Sequence, residues 1–112
     1  MAIYNLPITA PQTSTVNTAS VTGAYMIDWE KDTHVLTMTG ASTFTFSNLP
    51  INTNAVKRTI TIHLTGAFTF TFPNGTDVLG IANYDGSVVN TIVLECVDNA
   101  APTIYGQLIA RT

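Results

Sequence analysis

Apolar and polar side chains alternate along most of the chain after Gly23. In Thr43-Phe44-Thr45-Phe46, and again in Thr69-Phe70-Thr71-Phe72, every phenylalanine falls on one face of an extended strand and every threonine on the other. We therefore predict that the phenylalanines face the core and the threonines face solvent.

This alternation predicts about seven β-strands and no helix. The predicted strands are Ala24–Trp29, Val35–Thr39, Thr43–Ser47, Arg58–Leu64, Phe68–Phe72, Val88–Val97 and Thr103–Ala110. Turn residues separate them at Glu30-Lys31-Asp32, Gly40-Ala41, Leu49 to Asn54 and Pro73-Asn74-Gly75. We expect an all-β fold, a single antiparallel, jelly-roll-like β-sandwich that spans residues 21–112.

Residues 1–20 differ from the rest because they carry no charged side chain and show no sustained period. They are predicted to form an extended N-terminal arm, with an apolar group made of Ile3, Tyr4, Leu6 and Ile8. This group either covers an open end of its own sheet or pairs with an adjacent subunit or the particle beneath.

The segment from Thr76 to Gly86 is more apolar than a solvent-exposed loop should be, since it contains Val78, Leu79 and Tyr84. It either folds back over the open end of the sandwich or presents a contact patch. The predicted partner-contact residues are accordingly Ile3, Tyr4, Leu6, Ile8, Val78, Leu79 and Tyr84.

One segment of the chain is repeated nearly unchanged. Thr39–Asn48 matches Thr65–Asn74 at eight of ten positions. Two copies are too few for a solenoid, so we interpret them as two hairpins with similar sequences.

Composition narrows the function. Only 10% of the residues are charged and 46% are apolar, so the surface consists largely of Thr, Ser, Asn and Gly and suits permanent packing against neighbours. Four basic residues against seven acidic ones leave no basic stripe for nucleic acid. No signal peptide and no run of about 18 apolar residues is present, so neither standard secretion nor membrane insertion is expected.

No constellation of catalytic, cofactor-binding or metal-ligating residues stands out, and we expect no enzyme activity and no cofactor. Cys96 lies in a strand pattern and is predicted to be a small core residue. His34 and His63 are predicted to be ordinary strand histidines. Asp28, Glu30 and Asp32 are solvated turn carboxylates or weak Ca²⁺ ligands. Trp29 is either a core residue or an exposed platform for sugar or protein.

The order of several motifs resembles small β domains of tailed-bacteriophage virion proteins. The motifs are Gly23-Ala24-Tyr25-Met26-Ile27-Asp28-Trp29, Val35-Leu36-Thr37-Met38-Thr39-Gly40, Thr43-Phe44-Thr45-Phe46-Ser47-Asn48-Leu49-Pro50, Arg58-Thr59-Ile60-Thr61-Ile62, Phe72-Pro73 and Tyr105-Gly106. The resemblance covers roughly residues 23–110. Where such domains commonly carry Trp-Pro-Gly-Gly, this chain has Asn74-Gly75-Thr76-Asp77-Val78-Leu79-Gly80.

The resemblance implies a virion structural protein made in the bacterial cytoplasm. One hypothesis is a capsid decoration, or cement, protein that binds the head surface, with the major capsid protein or another virion protein and itself, as a trimer or a dimer, as partners. The alternative is a tail-fibre or receptor-binding module that recognises a host-surface glycan through Trp29, Tyr84 or Tyr105.

Overall fold

The computed structural model describes residues 15–50, 57–97 and 104–112. The prediction of an all-β fold is confirmed. Seven strands carry the described residues: β1 Val16–Asp28, β2 Thr33–Ser47, β3 Arg58–Thr65, β4 Phe70–Thr71, β5 Thr76–Leu79, β6 Asn90–Cys96 and β7 Ile104–Arg111. A single 3₁₀ turn in the described residues, Ile81–Asn83, follows β5.

All seven strands belong to one sheet, in the order β1-β2-β3-β6-β7-β5, with β4 beside β2 only. The predicted antiparallel arrangement is wrong for most of it. Strands β1 and β2, β2 and β3, β2 and β4, and β5 and β7 pair in parallel. Only β6 is antiparallel to its neighbours, β3 and β7. Side-chain alternation is the same in both kinds of ladder, so the sequence pattern does not distinguish them.

The long strands β1 and β2 achieve parallel pairing by bending back on themselves. Asp28, at the end of β1, is separated by only four residues from Thr33, and Thr33 lies beside Val16, where β1 begins. The pairing register shifts between Val21 and Gly23, which marks the bend. Parallel strands are normally joined by a helix. Here the bend in β1 and a short turn connect the two parallel strands instead.

The bend divides the sheet into two flanks. The first flank contains Val16–Val21, the paired start of β2, and β3, β6, β7 and β5; the second contains Gly23–Asp28, the end of β2 and β4. The Asn17 side-chain amide donates a hydrogen bond to the Tyr25 hydroxyl at 2.7 Å, from one flank to the other. The inner faces of the two flanks therefore enclose a common interior.

One hydrophobic cluster fills this interior. Its buried members are Val21, Ile27, Trp29, Leu36, Met38, Phe44, Ile60, Ile62, Leu64, Val78, Ile92, Leu94, Cys96 and Ile104. The predicted two-faced character of the Thr/Phe strands is confirmed, because Phe44 is 1% exposed while the adjacent Thr43 and Thr45 face solvent. The predicted burial of Cys96 is also confirmed, and of the two alternatives for Trp29 the structure shows the core residue.

Aromatic rings stack across the strands of the second flank. Tyr25 is paired with Phe44, whose ring lies edge-on 6.4 Å away. Phe44 stacks on Phe72 at 5.6 Å, and Phe70 contacts Tyr84 at 4.8 Å. The aromatic side chains thus form a ladder along the stacking direction of the parallel strands.

The interpretation of the internal repeat as two hairpins is wrong. Its two copies contribute neighbouring parallel strands, in which Ser42 pairs with Phe70. This register differs by two residues from the one that aligns the sequences, and a shift of two keeps every side chain on its own face.

Several predicted boundaries also change. Gly40-Ala41 is not a turn, because β2 runs through it as one strand; a Cβ at Gly40 would collide with the Thr22 hydroxyl of the adjacent strand. The predicted loop from Thr76 contains β5, which pairs with β7. Residues 16–20, predicted to end the arm, belong to β1.

Candidate binding surface

The predicted partner-contact residues lie in different environments. Ile3, Tyr4, Leu6 and Ile8 fall outside the described residues. Val78 is only 9% exposed and belongs to the core, so its side chain does not contribute to a contact surface. Leu79 follows it in β5 and is 68% exposed.

Tyr84 supports the fold. Its ring packs against Phe70, and its hydroxyl donates a 2.8 Å hydrogen bond to the Gly66 carbonyl. Desolvation, followed by the nearby Asp85 carboxylate, raises the pKa of Tyr84 to about 12. Because the ring and the hydroxyl are both engaged, Tyr84 closes the end of the aromatic ladder, and this part of the segment folds back over the sheet.

The outer face of β5, β7 and β6 carries a group of exposed apolar side chains. Leu79, Tyr105 and Ile109 are each more than half exposed. Leu79 is paired with Gln107, between Tyr105 and Ile109 on the same face of β7, so the three lie on adjacent strands. We refer to Leu79, Tyr105 and Ile109, with Val93 of β6, as the docking face.

A shallow groove of about 330 Å³ runs between β6 and β7 in the docking face. Its lining includes Val93, Tyr105 and Ile109, with Glu95 and Gln107 as the polar side chains. The groove is built on hydrogen-bonded strands, so its shape is fixed before any partner binds.

Polar groups at the edge of the docking face have no partner within the described part of the chain. Glu95 and Asp77 lie on either side of Tyr105, as its cross-strand neighbours on β6 and β5. The side chains of Glu95, Asp77 and Gln107 form no hydrogen bond or ion pair with any of the described residues. A ligand could bind them without breaking a contact among the described residues.

Sequence reasoning singled out Leu79 and Tyr105 but missed the rest of the docking face. The sequence feature that would have identified it is in β7. There Ile104 and Leu108 on one face alternate with Tyr105 and Ile109 on the other, so that both faces carry apolar side chains. The outer face of a single sheet does not need apolar side chains for the packing of the sheet itself. A strand like β7 favours an intermolecular contact.

A polar cluster lies inside the fold between β1 and β2. His34 is fully buried, and its Nε2 lies 3.0 Å from the Asp28 carbonyl oxygen. Its Nδ1 lies 3.5 Å from the Asn17 amide nitrogen. With Nε2 protonated, the neutral ring donates to the Asp28 carbonyl and accepts from the Asn17 amide, so both ring nitrogens have a partner. Desolvation lowers the pKa of His34, partly opposed by the hydrogen bond to the Asp28 carbonyl.

The remaining chemical candidates have structural partners. Asp28 Oδ1 accepts hydrogen bonds from the Asn48 side-chain amide at 2.8 Å and the Glu30 N–H at 2.9 Å, and these hold the pKa of Asp28 below its usual value. His63 Nδ1 lies 3.0 Å from the Thr91 hydroxyl on the neighbouring strand. The contacts of Asp28 stabilise the turn after β1, and the contact of His63 links two neighbouring strands.

No group of three or more potential metal-ligating side chains occurs among residues 15–50, 57–97 and 104–112. The same ranges contain no helix of the length and apolarity needed to cross a membrane. No family model, no curated protein and no solved structure matches this chain.

Proposed function

We propose that this chain is a structural protein of a bacteriophage virion, a capsid decoration protein that binds the head surface through the docking face and stabilises contacts between capsid subunits. The observation that carries the binding role is the docking face itself, an apolar group around Tyr105 on a rigid sheet. The assignment to a phage particle is supported by the resemblance of residues 23–110 to virion β domains.

The chemistry of the docking face suits a protein partner. Aromatic residues, tyrosine above all, are enriched where protein surfaces meet, and charged residues are depleted from the centres of such contacts. Tyr105 and Ile109 would supply the anchors, while Glu95 and Gln107 would lie at the rim. Because the chain has few charges overall, binding would depend on shape and apolar burial more than on electrostatic steering.

The proposed partners are the major capsid protein, or another virion protein, and further copies of this chain. A particle surface repeats the same binding site many times. An oligomer that engages several sites at once binds more tightly than one copy, since the later contacts form within the same complex. A weak individual contact would then be sufficient to stabilise the shell, without chemistry.

Sedimentation with emptied phage heads tests this proposal. We expect the wild-type chain to co-sediment with the heads and the Tyr105→Ala, Ile109→Ser double variant to stay in the supernatant. Met26→Ala is the matched control, because Met26 is 60% exposed but lies on the second flank. If the double variant bound the heads as well as the wild type does, the proposed role of the docking face in binding would be wrong.

The alternative function, recognition of a host-surface glycan in a tail fibre, is favoured by one observation. Tyr105 is 59% exposed and has the available Glu95 carboxylate and Gln107 amide on the same groove. An aromatic ring with neighbouring hydrogen-bonding groups is suited to a sugar. Trp29 and Tyr84 do not serve this purpose, since the first is fully buried and the second is engaged with Gly66.

The two functions are distinguished by the Glu95→Gln variant. A sugar that is hydrogen-bonded by the carboxylate would bind more weakly to this variant, whereas apolar docking on a capsid would change little. Adhesion of the wild-type chain to host cells, lost in Glu95→Gln and absent with phage heads, would replace decoration by glycan recognition.

A further inference from the structure

Strand β1 borders the sheet along its whole length. It is thirteen residues long and pairs with β2 on one side. Within residues 15–50, 57–97 and 104–112, no strand lies on its other side. An edge of this length presents a row of backbone N–H and C=O groups that can pair with another chain.

The hydrogen-bond pattern identifies the groups on this open edge. The Thr33 N–H donates to the Thr15 carbonyl at 3.1 Å, so the odd-numbered residues at the start of β1 point their backbone groups toward β2. In a parallel ladder the N–H and C=O of one residue point to the same side, and consecutive residues alternate. Val16, Thr18 and Ser20 therefore point their N–H and C=O groups away from β2.

The start of β1 lacks the features that normally prevent edge pairing. Proteins protect edges with charged side chains, prolines, bulges or very short strands. The segment Val16–Val21 contains no charged residue and no proline. The opposite border differs, because β5 is four residues long and carries Asp77, and the end of β7 that β5 does not cover carries Arg111. Val16–Val21 is therefore an exposed edge of the described sheet that lacks these protections.

We propose that Val16–Val21 pairs antiparallel with the same segment of a second copy of this chain. A twofold axis places the two strands in opposite directions, which makes the contact self-complementary. Since the segment is uncharged, this pairing brings no like charges together. The Asp28 end of β1 would bring such charges together, and for that reason the contact is confined to the first flank.

This contact is separate from the docking face. The sheet order places β1 at one border and β5, which is paired with β7, at the other. A dimer formed through β1 therefore leaves Leu79, Tyr105 and Ile109 of both copies accessible. Each dimer would present two docking faces, and a failure of self-pairing would be distinguishable from a failure of docking.

Analytical ultracentrifugation of the full chain tests the pairing. We expect the wild-type chain to form a concentration-dependent dimer and the Thr18→Lys, Ser20→Lys double variant to raise its dissociation constant by at least about tenfold. The control is Thr37→Lys, Thr59→Lys, which adds two lysines to the same outer face on strands that already have two neighbours. We expect the control to dimerise as the wild type does.

Amide hydrogen exchange gives a second readout that a general loss of stability does not mimic. The Thr18 and Ser20 amides should be protected at high protein concentration and exchange rapidly at low concentration. The Ala19 amide, which faces β2, should be protected at both. A wild-type chain that is monomeric at about 1 mM would overturn the proposal. So would a dimer insensitive to the edge lysines, or protection of Thr18 and Ser20 in the monomer, which would mean that the edge is covered within one chain.

Discussion

At the residue scale, the fold changes the ionisation of His34. The neutral ring satisfies both Asn17 and the Asp28 carbonyl, whereas a proton on Nδ1 would face the Asn17 amide donor. Burial also opposes the charge, so the pKa of His34 is lowered in the folded protein. Protonation is therefore easier in the unfolded chain.

This difference makes stability depend on pH. Well above the ordinary histidine value of 6.5, His34 is neutral in both the folded and the unfolded state, and its full contribution to stability is present. As the pH falls below 6.5, the unfolded state binds the proton first, and the free energy of unfolding decreases. We expect urea unfolding between pH 7 and pH 5 to show this decrease in the wild type and to lose it in His34→Gln. His63→Gln should retain it, and a flat profile in that variant would contradict the assignment.

Gly66 is required by both its backbone conformation and its surroundings. Its φ is +125°, and a Cβ there would lie 2.7 Å from the Met38 carbonyl oxygen and 2.8 Å from the Met38 Cβ. We expect Gly66→Ala to lower the free energy of unfolding by about 3 kcal/mol, measured by chemical denaturation. Gly23→Ala is the matched control: its φ is +66° but no atom lies within 4 Å, so about 1 kcal/mol is expected. Equal losses in both variants would mean that the contact with Met38 is unimportant.

At the element scale, the aromatic ladder links the strands of the second flank. Phe44 is 1% exposed and contacts the rings of Tyr25, Phe70 and Phe72. We expect Phe44→Ala to lower the free energy of unfolding by about 3–5 kcal/mol, since the cavity would open among stacked rings. Phe68→Ala is the comparison, because Phe68 is 44% exposed and should lose about 1 kcal/mol or less. Similar losses would show that the rings pack loosely.

The sequence predicted which face of the Thr/Phe strands is buried, because that depends only on alternation. It did not predict strand direction, since parallel and antiparallel ladders place side chains in the same way. Gly40 shows a second limit. Glycine next to alanine between two strand patterns favours a turn, but its real function is to make room for Thr22 on the adjacent strand. Close approach between strands is a tertiary property that no local pattern contains.

At the scale of the whole molecule, the sequence predicted only part of the docking face, for the same reason. Leu79 was identified because it is apolar within a loop pattern, and it is exposed as expected of a contact residue. Val78 has the same character in sequence but points inward, since neighbouring residues of a strand face opposite sides. The loop prediction placed no strand there. Only the pairing of β5 with β7 shows which of the two residues joins Tyr105 and Ile109 on one surface.

The two flanks share one core, which makes a prediction about unfolding of the whole domain. Trp29 is fully buried at the end of β1, contacts Phe46 of the second flank at 5.4 Å, and accepts a hydrogen bond from Arg58 of β3 on its carbonyl. A flank that unfolded by itself would expose the inner face of the other, so we expect a single cooperative transition.

Two probes report on this transition. Trp29 is the sole tryptophan of the chain, so its fluorescence follows the junction between the flanks, while far-ultraviolet circular dichroism follows all the strands. We expect the two urea curves to coincide in midpoint and slope in the wild type. A fluorescence change that precedes the loss of circular dichroism would mean that the second flank separates first. In that case the bend between Val21 and Gly23 would join two independent units, and the shared core would contribute little to the stability of either.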